Sequence, residues 1–228
     1  AIAIVKPYVL GAFGFACAAF VFVRRARALD PTVQVVVRPM QFAVAIALGI
    51  GVLLGIGEVS PRFAVDNLNA ELSRLQRPDA IEGGSAYSLG IEQNISFAQR
   101  LAYAPLALLT ATLRPFIFET HNIPSFVNGL ETTALLVLFA LVLSRHSPAR
   151  IANAIMQEPI LAFAAIFVLT FGVGVGLATS NFGTLSRYRM PLMPFWALLL
   201  VTFSRPTQSS QAPALRDAIR MPLAREPS

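Results

Sequence analysis

The chain has 228 residues, of which 55% are hydrophobic and 13% charged, and its mean hydropathy is +0.63. A soluble domain carries about 25% charged residues, so this composition excludes an ordinary soluble globule and points to a polytopic helical membrane protein. A transmembrane barrel is excluded by pattern: its strands alternate apolar and polar positions over about 10 residues, whereas the runs here are apolar on every face.

The net charge of +6 comes from arginine, with Lys6 the single lysine. No basic run interleaves with aromatics as base stacking requires, so no nucleic-acid partner is expected. The arginines are read instead as topology-setting loop residues in contact with lipid headgroups. Cys17 is the single cysteine and His121 and His146 are far apart, which leaves no zinc or haem spacing. No metal or cofactor is expected.

The chain opens without the charged start and small-residue cleavage site of a signal peptide, and is read as the C-terminal part of a longer protein. Its first apolar segment runs from Ile2 to Val23. Lys6 can snorkel and Pro7 is tolerated in the first turn. The linker to Arg38 carries Arg24, Arg25, Arg27 and Arg38 against Asp30 alone, which marks it as cytoplasmic. The second segment, Pro39 to Gly57, is charge-free and its glycines allow close helix contact.

The polar stretch Glu58 to Arg100 has six acids against four arginines, which suits the outer face. Ser60-Pro61 reads as a cap with proline at the first helical position. Val65, Leu68, Leu72 and Leu75 then recur at helical spacing, so 62–76 is expected to be an amphipathic surface helix.

Phe97 to Phe118 is broken by Arg100, Pro105, Arg114 and Pro115. Its charge-free core, Leu101 to Leu113, suits a re-entrant or interfacial helix better than a full span. If it does not cross, every arginine-rich end except that at 180–191 falls on the cytoplasmic side. The remaining spans are Leu130 to Leu143, Ile160 to Ala178 and Pro191 to Phe203, the first and last needing to borrow flanking residues or tilt little. Gly172, Gly174 and Gly176 are read as helix-packing residues.

The expected fold is therefore all-α: one transmembrane bundle over residues 1–203 with five spans, six if 97–118 crosses, plus the amphipathic outer-face helix within 58–100. A disordered cytoplasmic tail occupies 204–228.

The candidate chemistry lies on the outer face. Arg187, Tyr188 and Arg189 sit in a polar hinge beside a helix start at Pro191, where partial positive charge favours anions. The two arginines are candidate ligands for a lipid phosphate, with Tyr188 able to stack on a sugar. Arg114, beside Pro115 and Phe116, is a further phosphate candidate, with Glu119 or His121 as the candidate base. Glu131 opens a helix, where an acid is favoured by the dipole whatever its function.

The run Asn181-Phe182-Gly183-Thr184 leading to Arg187-Tyr188-Arg189-Met190-Pro191 and a final apolar span resembles the C-terminal end of bacterial polytopic membrane proteins of envelope polysaccharide synthesis. These include glycosyltransferases of the dolichyl-phosphate-mannose mannosyltransferase type and O-antigen polymerase-like proteins. Gly83-Gly84-Ser85 and the segment ending Arg114-Pro115-Phe116 are similar to the same group, so the resemblance covers roughly 80–203. It implies a multi-pass protein of the bacterial inner membrane that contacts a polyprenyl-phosphate-linked sugar at the outer face, with membrane lipids and other membrane subunits as partners. The family's transferases carry an acidic pair in their first outer loop, and here the first linker is basic. The resemblance thus implies either a glycosyltransferase or polymerase lacking its catalytic N-terminal part, or a non-catalytic accessory subunit of a larger membrane complex.

Overall fold

The computed structural model describes residues 7–27, 70, 72–73, 87–91, 95–120 and 122–205. Among them all the regular elements are helices, without a β-strand. The helices are α1 (Pro7–Arg27), α2 (Phe97–Leu101), α3 (Ala104–Leu113), α4 (Ile123–Arg145), α5 (Pro148–Gln157), α6 (Pro159–Ala178), α7 (Phe182–Tyr188) and α8 (Met193–Ser204), with a 3₁₀ turn at Ile117–Glu119.

Side-chain caps and prolines fix where these helices begin. Ser96 and Gln99 form a capping box on α2, Asn122 Oδ1 accepts the Ser125 N–H on α4, and Ser147 Oγ accepts the Arg150 N–H on α5. Each satisfies one of the amides that a helix start leaves without a partner. Pro105, Pro124, Pro148, Pro159 and Pro194 all sit in first turns, where a missing N–H costs nothing. Prolines therefore punctuate this chain rather than kink its helices.

Three helices are long and apolar enough to cross a membrane: Val9–Arg27, Ser125–Arg145 and Pro159–Ala178. They correspond to three of the five expected spans. The expected span Leu130 to Leu143 is lengthened at both ends, to 23 residues, because the Asn122 cap starts the helix a full two turns earlier. The final expected span is a shorter helix of 12 residues, separated from α7 by a turn at 189–192. The segment 97–118 divides into α2, α3 and the 3₁₀ turn. With 10 residues, α3 rises about 15 Å, half the thickness of a bilayer's hydrocarbon core.

The expected second span at 39–57 lies outside the described residues, as does 206–228. Of the expected surface helix, Ala70, Leu72 and Ser73 are described; all three are helical and Leu72 is buried. An amphipathic helix with no counterpart among the expected elements is present at α5. Its Ser147-Pro148 start is the same signal as Ser60-Pro61.

Helix α6 is the centre of the bundle. It packs against α1, α3, α5 and α8, and 56% of its apolar window is buried, against 22% for α4. Two different surfaces of α6 make these contacts. Phe163, Phe167 and Phe171 stack one turn apart and meet Phe13 of α1 and Phe195 of α8, with Phe167–Phe195 centroids 5.0 Å apart. On the α3 side the contact is made by small residues. A Cβ built on Gly176 would stand 2.1 Å from the Ala107 carbonyl oxygen, and one on Gly172 would stand 2.8 Å from Leu108 Cδ1. Gly174 has nothing within 4 Å, so two of the three glycines serve helix contact.

The helix directions give the molecule two unlike poles. At one, Arg27 of α1 pairs with Glu158 before α6, Arg145 Nη1 donates to the Ser204 carbonyl at 3.2 Å, and His146 Nε2 lies 2.9 Å from the Phe203 carbonyl. This pole gathers Arg24, Arg25, Arg27, Arg145, Arg150 and Arg205, all exposed. The opposite pole holds the end of α3, the start of α4, the end of α6 and α7.

Gly176→Ala is expected to destabilise the protein by about 1–3 kcal/mol, because backbone must move to admit the methyl. Gly174→Ala should be neutral or slightly stabilising, since alanine is the better helix former by about 1 kcal/mol. Denaturant unfolding in detergent micelles measures both; equal effects would contradict the packing described.

Candidate functional site

The polar pole is built on the end of α3. Arg114 leaves the helix in extended conformation (φ −106°, ψ 154°), as the residue before a proline prefers, and its peptide bond to Pro115 is cis. The chain then turns through Ile117–Glu119 and brings Glu119 back to the Arg114 side chain. Arg114 Nε donates to both carboxylate oxygens, at 3.1 and 3.2 Å, and Nη2 donates to Oε1. The Phe116 N–H adds a bond to Oε2 at 2.9 Å.

Aromatic rings cover the other faces of this pair. The Arg114 guanidinium carbon stands 5.2 Å from the centroids of both Tyr87 and Phe182, within cation–π range. The two rings stack at 4.7 Å. Tyr87 is anchored by its N–H to the Ser180 carbonyl at 2.9 Å and by its hydroxyl, 2.8 Å from Thr179 Oγ1. Burial pushes the Tyr87 phenol up to about 12, although Thr179 and the Arg114 and Arg189 charges act to lower it. It stays protonated at any physiological pH.

Arg189 comes from the turn after α7. Its N–H closes that helix on the Leu185 carbonyl at 3.0 Å, and its carbonyl accepts from Leu192 at 2.8 Å and Met193 at 3.2 Å. The residue is only 2% exposed. Nη1 donates to the Arg114 carbonyl, while Nη2 is buried without a hydrogen-bond partner among the described residues. Burial lowers its pKa, opposed by the Glu131 charge. Arg189 also lines a cleft of about 480 Å³ between α4 and the α7–α8 break, together with Asn128, Glu131, Ser186, Met193 and Ala197.

The chain matches no known family, no curated protein and no solved structure. The site is therefore read from its own geometry.

Of the sequence candidates, the fold brings Arg114, Glu119 and Arg189 together. It does not bring Arg187 or Tyr188 to them. Both are exposed; two positions on a helix are turned about 200° apart, so Arg187 and Arg189 leave opposite sides of α7. The helix end nearest Arg189 is the carboxyl end of α7, where exposed carbonyls repel anions; the guanidinium itself, rather than a helix dipole, is the positive group. Glu119 is fully engaged. Although burial raises its pKa, the Arg114 hydrogen bond, the Phe116 amide and the Arg114 charge outweigh it and hold the carboxyl below its usual value. That is the opposite of what a general base at neutral pH needs. His121 lies outside the described residues. No group of three or more metal-ligating side chains occurs among the described residues.

Sequence reasoning missed Tyr87, Thr179, Phe182 and the position of Glu131. Glu131 lies eight residues into α4, not at its opening. The signal was Asn122-Ile123-Pro124, a cap followed by proline, which moves the helix start back. Tyr87 meets Phe182 through a contact nearly a hundred residues apart along the chain, for which a single sequence holds no local signal. Arg100, counted as a loop charge, is buried and donates to Ser73 Oγ at 2.7 Å.

Since Glu119 has its pKa lowered in the fold, the unfolded chain takes up its proton first. The stabilisation is complete above the ordinary value of 4.5 and is lost as pH falls through the folded value. Thermal unfolding should show wild type losing stability from neutral pH to below 4.5 more steeply than Glu119→Gln; parallel pH profiles would contradict the pairing.

Proposed function

We propose that the chain is a multi-pass protein of the bacterial inner membrane, with five spans, that holds the phosphate of a polyprenyl-linked sugar at the outer face. Arg189 carries this reading. It is a buried side chain with Nη2 unpartnered among the described residues, on the wall of a cleft, at the pole opposite Arg24, Arg27, Arg145 and Arg150. Arginine-rich ends are retained on the cytoplasmic side, which favours the outer side for Arg189. Arginine is also the side chain best matched to phosphate oxygens. The short rise of α3 supports five spans over six, with 97–118 staying on the outer side. Arg114 supports the site through its carbonyl and its ring contacts, since its own guanidinium is neutralised by Glu119.

A second reading, a non-catalytic accessory subunit of a larger membrane complex, is favoured by the engagement of Glu119 as a counterion. With its carboxylate held by Arg114 and the Phe116 amide, it has no role as a base. Under this reading the chain binds the lipid carrier and a partner performs the transfer.

Arg189→Ala is expected to weaken binding of a polyprenyl-phosphoryl hexose about 10- to 100-fold, the worth of one hydrogen bond to a charged group. Arg187→Ala should change it less than about threefold. Native mass spectrometry of the detergent-solubilised protein titrated with a polyprenyl-phosphoryl hexose reads both; unchanged affinity in Arg189→Ala would sink the assignment.

A further inference from the structure

The wall facing Arg189 is not basic. Glu131 of α4 is exposed and lines the same cleft. Its charge is felt at Arg189, yet the two form no ion pair. The cleft thus presents a cation and an anion to whatever lies between them. Asn128 and Ser186 stand beside the charged pair, and Met193 and Ala197 continue along one face of α8, one turn apart. The polar end is near the α7–α8 break and the apolar wall runs toward the arginine-rich pole, in the direction of the long helices. This is the profile of a seat for an amphiphile. Its volume of about 480 Å³ falls within the usual range for small-molecule sites, about 300–1,000 Å³.

We infer that the cleft takes a phosphodiester lipid whose headgroup also carries a hydrogen-bond donor, the phosphate meeting Arg189 and the donor meeting Glu131. This rests on the reading of Arg189 as a phosphate ligand and deepens it by assigning Glu131 as the specificity-determining residue. The phosphodiester brings one negative charge, which Arg189 matches. A hydroxyl or ammonium on the headgroup then satisfies the carboxylate. A phosphomonoester or diphosphate would bring extra negative charge and no donor, and Glu131 would oppose it. Repulsive elements of this kind set specificity as effectively as attractive ones. Two sources share the required chemistry: a glycosyl phosphate on a polyprenyl carrier, whose sugar supplies hydroxyls, and phosphatidylethanolamine, whose ammonium does so.

Trp196, the single tryptophan, precedes Ala197 of the cleft wall and provides the readout. The full chain in detergent is titrated with brominated-chain phosphatidylethanolamine and phosphatidic acid, following quenching of Trp196, and a short polyprenyl-phosphoryl hexose is added as competitor. In wild type at least one donor-bearing phosphodiester should bind about tenfold or more tightly than phosphatidic acid. Glu131→Gln should narrow that preference to less than about threefold, leaving phosphatidic acid bound as well as before or better. Arg189→Lys, which keeps the charge and one donor for the Arg114 carbonyl, should weaken every phosphate lipid.

Preference for phosphatidylethanolamine alone identifies a membrane headgroup, and preference for the hexose lipid alone identifies a carrier. Phosphatidic acid binding as tightly as both, or a preference untouched by Glu131→Gln, overturns the assignment of Glu131. If phosphate lipids still bind through Arg189 in that case, the phosphate site stands and only its specificity falls. If Arg189→Lys and Arg189→Ala both bind like wild type, the two readings fall together.

Discussion

A guanidinium buried among packed helices must find acceptors or cost several kcal/mol, and the polar pole is arranged around that demand. Arg189 finds one acceptor in the Arg114 carbonyl. That carbonyl is free because α3 stops where Pro115 follows, so the end of one helix becomes the partner for a residue 75 positions later. The Arg114 side chain, in turn, is neutralised by Glu119 and covered by Tyr87 and Phe182. Each element here is held by another: the loop by the arginine it carries, the arginine by rings from two distant segments. The Arg189 Nη2 is left without an acceptor among the described residues, in a residue that lines the cleft.

This junction is possible only because α3 lies close against α6. At Gly176 α6 meets the backbone of α3 directly, and at Gly172 it receives the Leu108 side chain, which brings the end of α3 alongside the end of α6. On its other sides α6 packs stacked phenyl rings against Phe13 of α1 and Phe195 of α8. Small residues on one face and aromatics on another thus set the depth at which Arg114 emerges. The outward face of α4 is apolar, with Ile123, Val127, Leu130, Val137 and Leu141 all exposed along one stripe. In water such a stripe would be a liability; against lipid it is the ordinary surface of a spanning helix.

The long apolar elements were legible in the sequence. Helix α6 begins at Pro159, one residue before the expected Ile160, and ends at Ala178 as expected, because a charge-free run bounded by Glu158-Pro159 leaves few alternatives. Helix α4 starts at Ile123, well before its hydrophobic run, because the Asn122 cap and Pro124 set the start rather than hydrophobicity. Helix α5 likewise is marked by its Ser147-Pro148 cap and not by a hydrophobic run. The reading of Arg187 and Arg189 as a pair came from proximity in sequence, which a helix converts into separation. What the sequence could not show was the convergence of Tyr87, Arg114, Phe182 and Arg189, since these residues approach one another only through the packing of α3 on α6.

The central claim is that the two poles lie on opposite sides of a membrane, with the Arg189 junction outside. Single cysteines at two exposed sites test it most directly: Arg187→Cys and Arg150→Cys, each in a Cys17→Ala background. Intact cells are treated with a membrane-impermeant maleimide before and after permeabilisation. The account predicts that position 187 reacts in intact cells and position 150 only after permeabilisation. Reaction of both from the same side, or of 150 alone in intact cells, would contradict it.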